Sequence, residues 1–391
     1  MYSFVNFAYG TTFGLNLYCF LLYCFLLFIS LKGNVTNLYT QENSRSRTVF
    51  LFCGLLLFAL TSFVGDDFFH YHELMHEYRG QVFGDQEFGL EAFYQYLISY
   101  IDGNYFLFRL VVWGSSLVFI TYATRKFEAN LYHTLFLILA GFIITFSYAR
   151  ATLAMSVFSI GAVLISVASE ATIKKRFFLT ILGLAIIACS IYFHRSMLPM
   201  LIVSLGWVLM PWKKQVAKYS LWLFPIFVAI CALILRNMFE DMFTIANAMD
   251  DESGLFDRAE FYAEQEATVY NTNGYIQLFF HYLSFFFPFI VICNSFKSND
   301  VVKNLNKRTI WLFQVLYLIF ILATSLLFLD LDTSVLFYRY LYMSFIPMSI
   351  LIAYMKDTGV LKKNLYLWIV IIFIFSNLFQ LFALVYSKMN K

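Results

Sequence analysis

Three stretches of the sequence set an arginine at the border of an apolar run. Arg150 closes FIITFSYAR and opens ATLAMSVFSIGAVLI. His194 and Arg195 lie together in IYFHRSMLPMLIV, and Arg339 lies in LFYRYLYMSFIPMSILIAY. A guanidinium is planar and always charged, and its fork of donors matches phosphate or carboxylate oxygens two at a time. Histidine exchanges a proton near neutral pH, so His194 is a candidate base for a hydroxyl group. A charge at the end of a membrane helix is costly unless it is paired or reaches water. These residues read either as a site that gathers an anionic ligand, or as side chains that snorkel and pair with neighbouring carboxylates.

Two polar stretches carry most of the remaining chemistry. The first, about 65–103, holds His70, His72 and His76 among many acids. His72-Glu73-Leu74-Met75-His76 matches the His-Glu-x-x-His spacing of zinc proteases, in which the histidines bind metal and the glutamate is the base. A third ligand is not evident, so no metal site is expected. Its second half, 87–101, repeats apolar residues at Leu90, Phe93, Tyr94, Leu97, Ile98 and Ile101, with Glu87, Glu91 and Gln95 opposite. That period predicts an amphipathic helix on a membrane interface, its acids facing away from the apolar side. The second stretch, about 236–274, is acidic and aromatic, with Asp257, Arg258, Glu260, Tyr262 and Glu264 in one candidate helix. Carboxylates and rings suit carbohydrate, and a solvated charged lid is the other reading. Tyr71, Glu91 and Arg258 are the candidate sugar-binding residues.

The elements that must hold these groups are membrane helices. The chain of 391 residues is 61% hydrophobic, 21% aromatic and only 13% charged. Soluble proteins run at about 45–50% apolar and about 25% charged. This composition excludes a soluble enzyme, a nucleic-acid binder and a disordered chain. An all-α polytopic membrane protein remains, read as a single membrane domain over 1–391. About twelve apolar segments fall at 9–31, 48–64, 104–124, 131–149, 151–168, 177–193, 196–210, 220–235, 275–296, 309–329, 336–355 and 364–386. Tight hairpins are expected near 150 and 195. The first segment lacks a preceding Lys or Arg and is expected to stay as a span rather than be cleaved as a signal. The six cysteines sit in or at the inner ends of apolar runs, as small hydrophobes.

Alternate loops collect the cations, which assigns them to the cytoplasm. Lysine dominates that side. Apart from Lys388 and Lys391 in the tail, the other side carries only arginines: Arg79, Arg109, Arg150, Arg195, Arg236, Arg258 and Arg339. Most of the acids also fall there. Arginines held on an acidic outer face point to an anionic ligand docking among them.

These pieces, in this order, resemble the EpsG-like, Wzy-type family of bacterial polysaccharide polymerases. The resemblance rests on Asp67-Phe68-Phe69-His70-Tyr71, Glu87-Phe88-Gly89-Leu90-Glu91-Ala92-Phe93, Arg150-Ala151-Thr152-Leu153-Ala154, His194-Arg195-Ser196 and Arg339-Tyr340-Leu341-Tyr342. Phe88 stands where the family's Glu-Pro-Gly stretch has proline. The resemblance implies a GT-C-like membrane glycosyltransferase of the bacterial inner membrane, its site facing the periplasm. It would transfer a growing glycan from undecaprenyl pyrophosphate to the non-reducing end of a new undecaprenyl-pyrophosphate-linked repeat unit. No cofactor is implied, since the lipid pyrophosphate is itself the leaving group. Arg150, Arg195 and Arg339 would hold the pyrophosphate. His194, or the outer carboxylates Asp67 and Glu87, would activate or orient the acceptor. The lipid-linked oligosaccharide, membrane lipids and a chain-length regulator protein are the candidate partners, with no nucleic acid. A lipid-linked oligosaccharide flippase or other transporter, and an O-antigen ligase or other lipid-donor membrane glycosyltransferase, are the competing readings.

Overall fold

The computed structural model describes residues 12–37, 44–61, 75, 91–141, 149–248, 272–298, 305–328 and 334–389. Among these residues the chain is helical, with no strand. Asp67, Tyr71, Glu87, Arg258 and the histidines of 70–76 lie outside them. Arg339 lies within a helix, but its side chain is outside the description.

In chain order the helices are α1 Thr12–Asn37, α2 Ser44–Thr61, α3 Ala92–Tyr100, α4 Tyr105–Phe127, α5 Leu131–Gly141, α6 Ala149–Ala168 and α7 Ile173–Phe193. A 3-10 turn, Arg195–Met197, leads into α8 Leu198–Leu209. Then follow α9 Lys214–Lys218, α10 Ser220–Ala248, α11 Thr272–Ser295, α12 Lys307–Leu326, α13 Ser334–Asp357 and α14 Lys363–Met389. Each of the twelve expected apolar segments carries one of these helices. Among the described residues, five helices are long and apolar enough to cross a membrane: α4, α6, α7, the first part of α10, and α12. Shorter apolar helices accompany them. Burial divides the bundle. The apolar windows of α6 and α12 are each 83% buried, whereas those of α7 and α10 are 22% and 11% buried. The first two are axial helices, and the last two present Phe177, Phe178, Trp222 and Leu233 outward. An apolar outer surface of this extent belongs in lipid, so the chain is a membrane protein.

The helices alternate in direction, which gives the bundle two distinct ends. At one end Glu91, Arg150 and His194 meet. At the other, Arg308 at the start of α12 reaches Glu128 beyond α4 and Glu170 beyond α6. The Tyr132 hydroxyl donates to the Ser30 carbonyl at 2.8 Å, which brings α1 and α5 to that second end. Gln314 accepts from the Trp212 N–H and donates to the Met210 carbonyl, which adds the turn after α8. Several cations that the sequence assigns to one face lie at helix ends, among them Arg125 and Lys126 at the end of α4, Lys218 at the end of α9 and Lys356 at the end of α13.

One sequence expectation is corrected here. The amphipathic helix begins at Ala92 rather than near 87, and Glu91 is not on its polar face. Glu91 precedes the helix in extended backbone (φ −64, ψ 143), and its carbonyl accepts the N–H groups of Tyr94 and Gln95. Its carboxylate turns inward and is buried. The apolar face of α3 is as expected: Tyr94 and Ile98 are fully buried against Phe108 and Val112 of α4 and Leu153 of α6. The helix is thus packed onto the bundle by the residues that predicted its amphipathicity.

Candidate functional site

The hairpin of α6 and α7 builds the site. Its two helices touch through glycine. A Cβ placed on Gly161 would sit 2.6 Å from the Gly183 carbonyl oxygen and 2.5 Å from Ile187 Cγ1. One on Gly183 would sit 2.9 Å from the Gly161 oxygen and 2.5 Å from Ile165 Cγ1. Small residues let membrane helices approach this closely where lipid offers no hydrophobic drive. Arg150 lies eleven residues before Gly161, and His194 lies eleven after Gly183. Eleven residues are about three helical turns, so each returns to the same helix face as its glycine. The glycine contact therefore sets the register that brings Arg150 and His194 opposite each other.

Local structure then ends each helix at the right residue. His194 leaves α7 in extended backbone (φ −161, ψ 116), with its N–H still on the Ser190 carbonyl. The 3-10 turn follows, and Pro199 in the first turn of α8 restarts a helix where no N–H partner is needed. Arg150 is in the first turn of α6. Its backbone carbonyl accepts the Tyr94 hydroxyl at 3.2 Å, which fixes α3 to the mouth of the hairpin.

Glu91 is the hub. Its Oε2 accepts from Arg150 Nη1 at 2.8 Å. Its Oε1 lies 3.0 Å from His194 Nδ1 and accepts the Arg195 backbone N–H at 3.4 Å. The Glu91 side chain is 7% exposed, while Arg150 and His194 are 22% and 18% exposed. The carboxylate is thus at the bottom and the two nitrogen groups at the rim. Burial pushes the Glu91 carboxyl up. The hydrogen bond from His194 and the charge of Arg150 together outweigh it, and the group is held down at about 2. An ionised carboxylate only accepts hydrogen bonds, so the proton between it and the imidazole sits on Nδ1. In the neutral ring Nε2 then carries the lone pair. A carboxylate that orients a histidine in this way is the arrangement that makes an imidazole a directed base. A guanidinium has five N–H donors in a fixed fork, suited to oxygens of a phosphate.

The site thus unites three residues singled out from sequence, His194, Arg150 and Glu91, with the backbone of a fourth, Arg195. The Arg195 side chain is exposed beside them. Glu91, expected among sugar contacts, has both oxygens engaged by protein donors. Asp67, Glu87, Tyr71 and Arg258 are outside the described residues, and Arg339 is described by its backbone alone. The sequence marked Glu91 as a sugar contact and not as the hub, and it gave no role to the Tyr94 hydroxyl. The paired eleven-residue spacings from Arg150 to Gly161 and from Gly183 to His194 were a signal that could have revealed the register.

No curated protein and no solved structure matches the chain. The family model of the EpsG family matches residues 44–390, a stretch that includes every residue of the Glu91 cluster and both helices of its hairpin. The chain belongs to the EpsG family.

Proposed function

We propose that this protein polymerises lipid-linked oligosaccharide repeat units, and that the Glu91–Arg150–His194 cluster is where the glycan is transferred. Membership of the EpsG family supports a role of the polysaccharide-polymerase type. The observation that carries the assignment is a single buried carboxylate holding an arginine and an imidazole at the rim of a helical bundle. In this reading the chain has about twelve spans in a GT-C-like arrangement. The cluster faces the periplasm of a bacterial inner membrane.

The roles follow from the chemistry. His194 Nε2 takes the proton of the acceptor hydroxyl on the non-reducing sugar of the incoming repeat unit. That oxygen bonds to the anomeric carbon of the growing glycan as the bond from that carbon to undecaprenyl pyrophosphate breaks. The leaving pyrophosphate carries the electron pair away. Arg150, with Arg195 and Arg339, stabilises its charge as it develops. Glu91 fixes the His194 tautomer and holds Arg150, which makes it a positioning residue. Asp67 and Glu87 remain candidates for orienting the acceptor, and Tyr71 and Arg258 for binding its sugars. No nucleotide or metal enters the reaction as written. A chain-length regulator protein is a partner that such a polymerase would use.

Gel analysis of the surface polysaccharide of a deletion strain tests this. The reading expects repeat units to be made, exported and attached singly, with the polymer absent and restored by the wild-type gene. Repeat units trapped at the inner leaflet would instead assign a flippase. Complete polymer left unattached on its lipid would assign a ligase.

A further inference from the structure

The nine residues of α3 carry no charge, although Glu87, Glu91 and Asp102 flank the helix in the sequence. One face of α3 is given to packing: Tyr94 and Ile98 are fully buried against α4 and α6. The opposite face holds Tyr96 and Tyr100, which are 56% and 91% exposed. They are four residues apart and stand one above the other, about 6 Å apart along the axis. Gln95 and Ser99 run beside them with the same spacing. The outward faces of α7 and α10 differ in kind, because there Phe177, Phe178, Trp222 and Leu233 meet lipid with no amide or hydroxyl among them. A face of rings interleaved with an amide and a hydroxyl belongs in water rather than in hydrocarbon.

Paired tyrosines with an uncharged polar edge suit a carbohydrate. The C–H face of a pyranose packs on an aromatic ring, and amide and hydroxyl groups exchange hydrogen bonds with its hydroxyls. A tyrosine ring offers this contact with little side-chain freedom to lose. The helix also leads away from the candidate site. It starts just after Glu91, whose carboxylate holds Arg150 and His194, and Tyr96 and Tyr100 follow about 8 and 14 Å farther along its axis. The step between the two rings is close to the length of one sugar unit. We propose that the outward face of α3 is a track for the growing glycan, with successive sugars stacked on Tyr96 and then Tyr100 as the chain leaves the Glu91 cluster. This role rests on the glycan-transfer reading, which supplies the direction of the chain. Its consequence is retention: a glycan held beside the cluster between transfers is extended again before it escapes.

The test uses the full-length protein purified in detergent and free glycan released from the surface polysaccharide by mild acid. Isothermal titration calorimetry measures their binding. The wild type should bind the glycan saturably. In Tyr96→Ala/Tyr100→Ala the dissociation constant should rise about tenfold, from the loss of two ring contacts. Polymer made by that variant from a lipid-pyrophosphate repeat unit should shift to shorter chains. Tyr96→Phe/Tyr100→Phe keeps both rings and should bind like wild type. So should Tyr122→Ala, which removes a tyrosine of α4 that is 49% exposed and lies towards the basic end. If the alanine pair does not purify as a folded species, Tyr100→Ala replaces it, with a rise of about threefold. No saturable binding by the wild type, unchanged binding in the alanine variants, or an equal loss in the phenylalanine pair would overturn the track. Ring-dependent binding in a protein that joins no repeat units would keep the track as a glycan site and overturn the transfer reading. Normal polymer with ring-independent binding would do the reverse.

Discussion

The two ends of the bundle solve the same electrostatic problem in opposite ways. At one end a carboxylate is buried and the groups it binds face outward: Glu91 below, Arg150 and His194 at the rim. At the other an arginine is buried. Arg308 is 12% exposed, stacked over the Tyr354 ring at 5.5 Å and donating to the Phe127 carbonyl. Its carboxylate partners face outward, Glu128 at 69% and Glu170 at 32% exposed. Nη1 meets Glu128 at 2.8 Å, while Nε lies 3.2 Å from Glu170 at an ion-pair distance without hydrogen-bond alignment. Sequence separation tells the same story. Arg308 ties together three turns, which is the work of a staple. Glu91 ties together two helix ends and leaves a guanidinium and an imidazole at the rim, the arrangement on which the proposed site rests. A buried ion pair is weak evidence of function in itself; which partner is left outside is what separates the two.

Several substitutions would break or sharpen that contrast. Glu91→Gln should have the largest effect. It leaves Arg150 and His194 without their shared anion and lets the imidazole choose either tautomer. Polymer made by the purified protein from a lipid-pyrophosphate repeat unit should fall at least about a hundredfold. Stability should fall by about 3 kcal/mol, the usual cost of removing one partner of a buried pair. Arg308→Gln should lower stability by about 1 kcal/mol, since Glu128 is largely solvated and Glu170 is partly exposed, and leave the rate per folded molecule unchanged. Equal loss of rate from both would erase the distinction between site and staple.

The next effect is steric. Gly161→Leu should force α6 and α7 apart, cost about 2 kcal/mol by overpacking, and cut polymer synthesis by separating Arg150 from His194. Gly206→Leu, whose Cβ meets nothing within 4 Å, should change neither stability nor rate. Thermal midpoints and product ladders for the two variants measure this directly.

Acid gives a gentler contrast. The Glu91 carboxyl is held at about 2 against an ordinary value of 4.5. Its contribution to stability is therefore complete above about pH 4.5 and is lost as pH falls from there towards about 2. The difference in thermal midpoint between wild type and Glu91→Gln should shrink across that window. A constant difference would mean that Glu91 is not the ionised hub. The smallest effect is expected from Glu128→Gln at the staple, under about 0.5 kcal/mol, because that carboxylate is mostly in water.

The bundle was largely legible in the sequence because lipid imposes a simple rule: long apolar runs become helices and basic loops share a face. Arg150 and His194 were legible too, since an arginine and a histidine at apolar borders are expensive enough to notice. Glu91 was not. Its place in an amphipathic pattern put it on the polar side of a helix, and periodicity has no way to show that the helix starts only at Ala92, just after it. The extended backbone at Glu91 lets the carboxylate turn inward. The Gly161–Gly183 contact was legible only through the paired eleven-residue spacings, because a close approach depends on the partner helix and a single chain segment does not display its partner. Tyr94 read as an apolar face residue, and its hydroxyl acquires a role only once Arg150 is beside it.

The central claim is that His194, oriented by Glu91, accepts the proton of the sugar hydroxyl. A single-turnover assay with His194→Gln tests it most directly, using purified protein, a lipid-pyrophosphate repeat unit and a matched thermal midpoint. The variant should still bind the donor lipid and transfer glycan at least about a hundredfold more slowly. Transfer at the wild-type rate would contradict it.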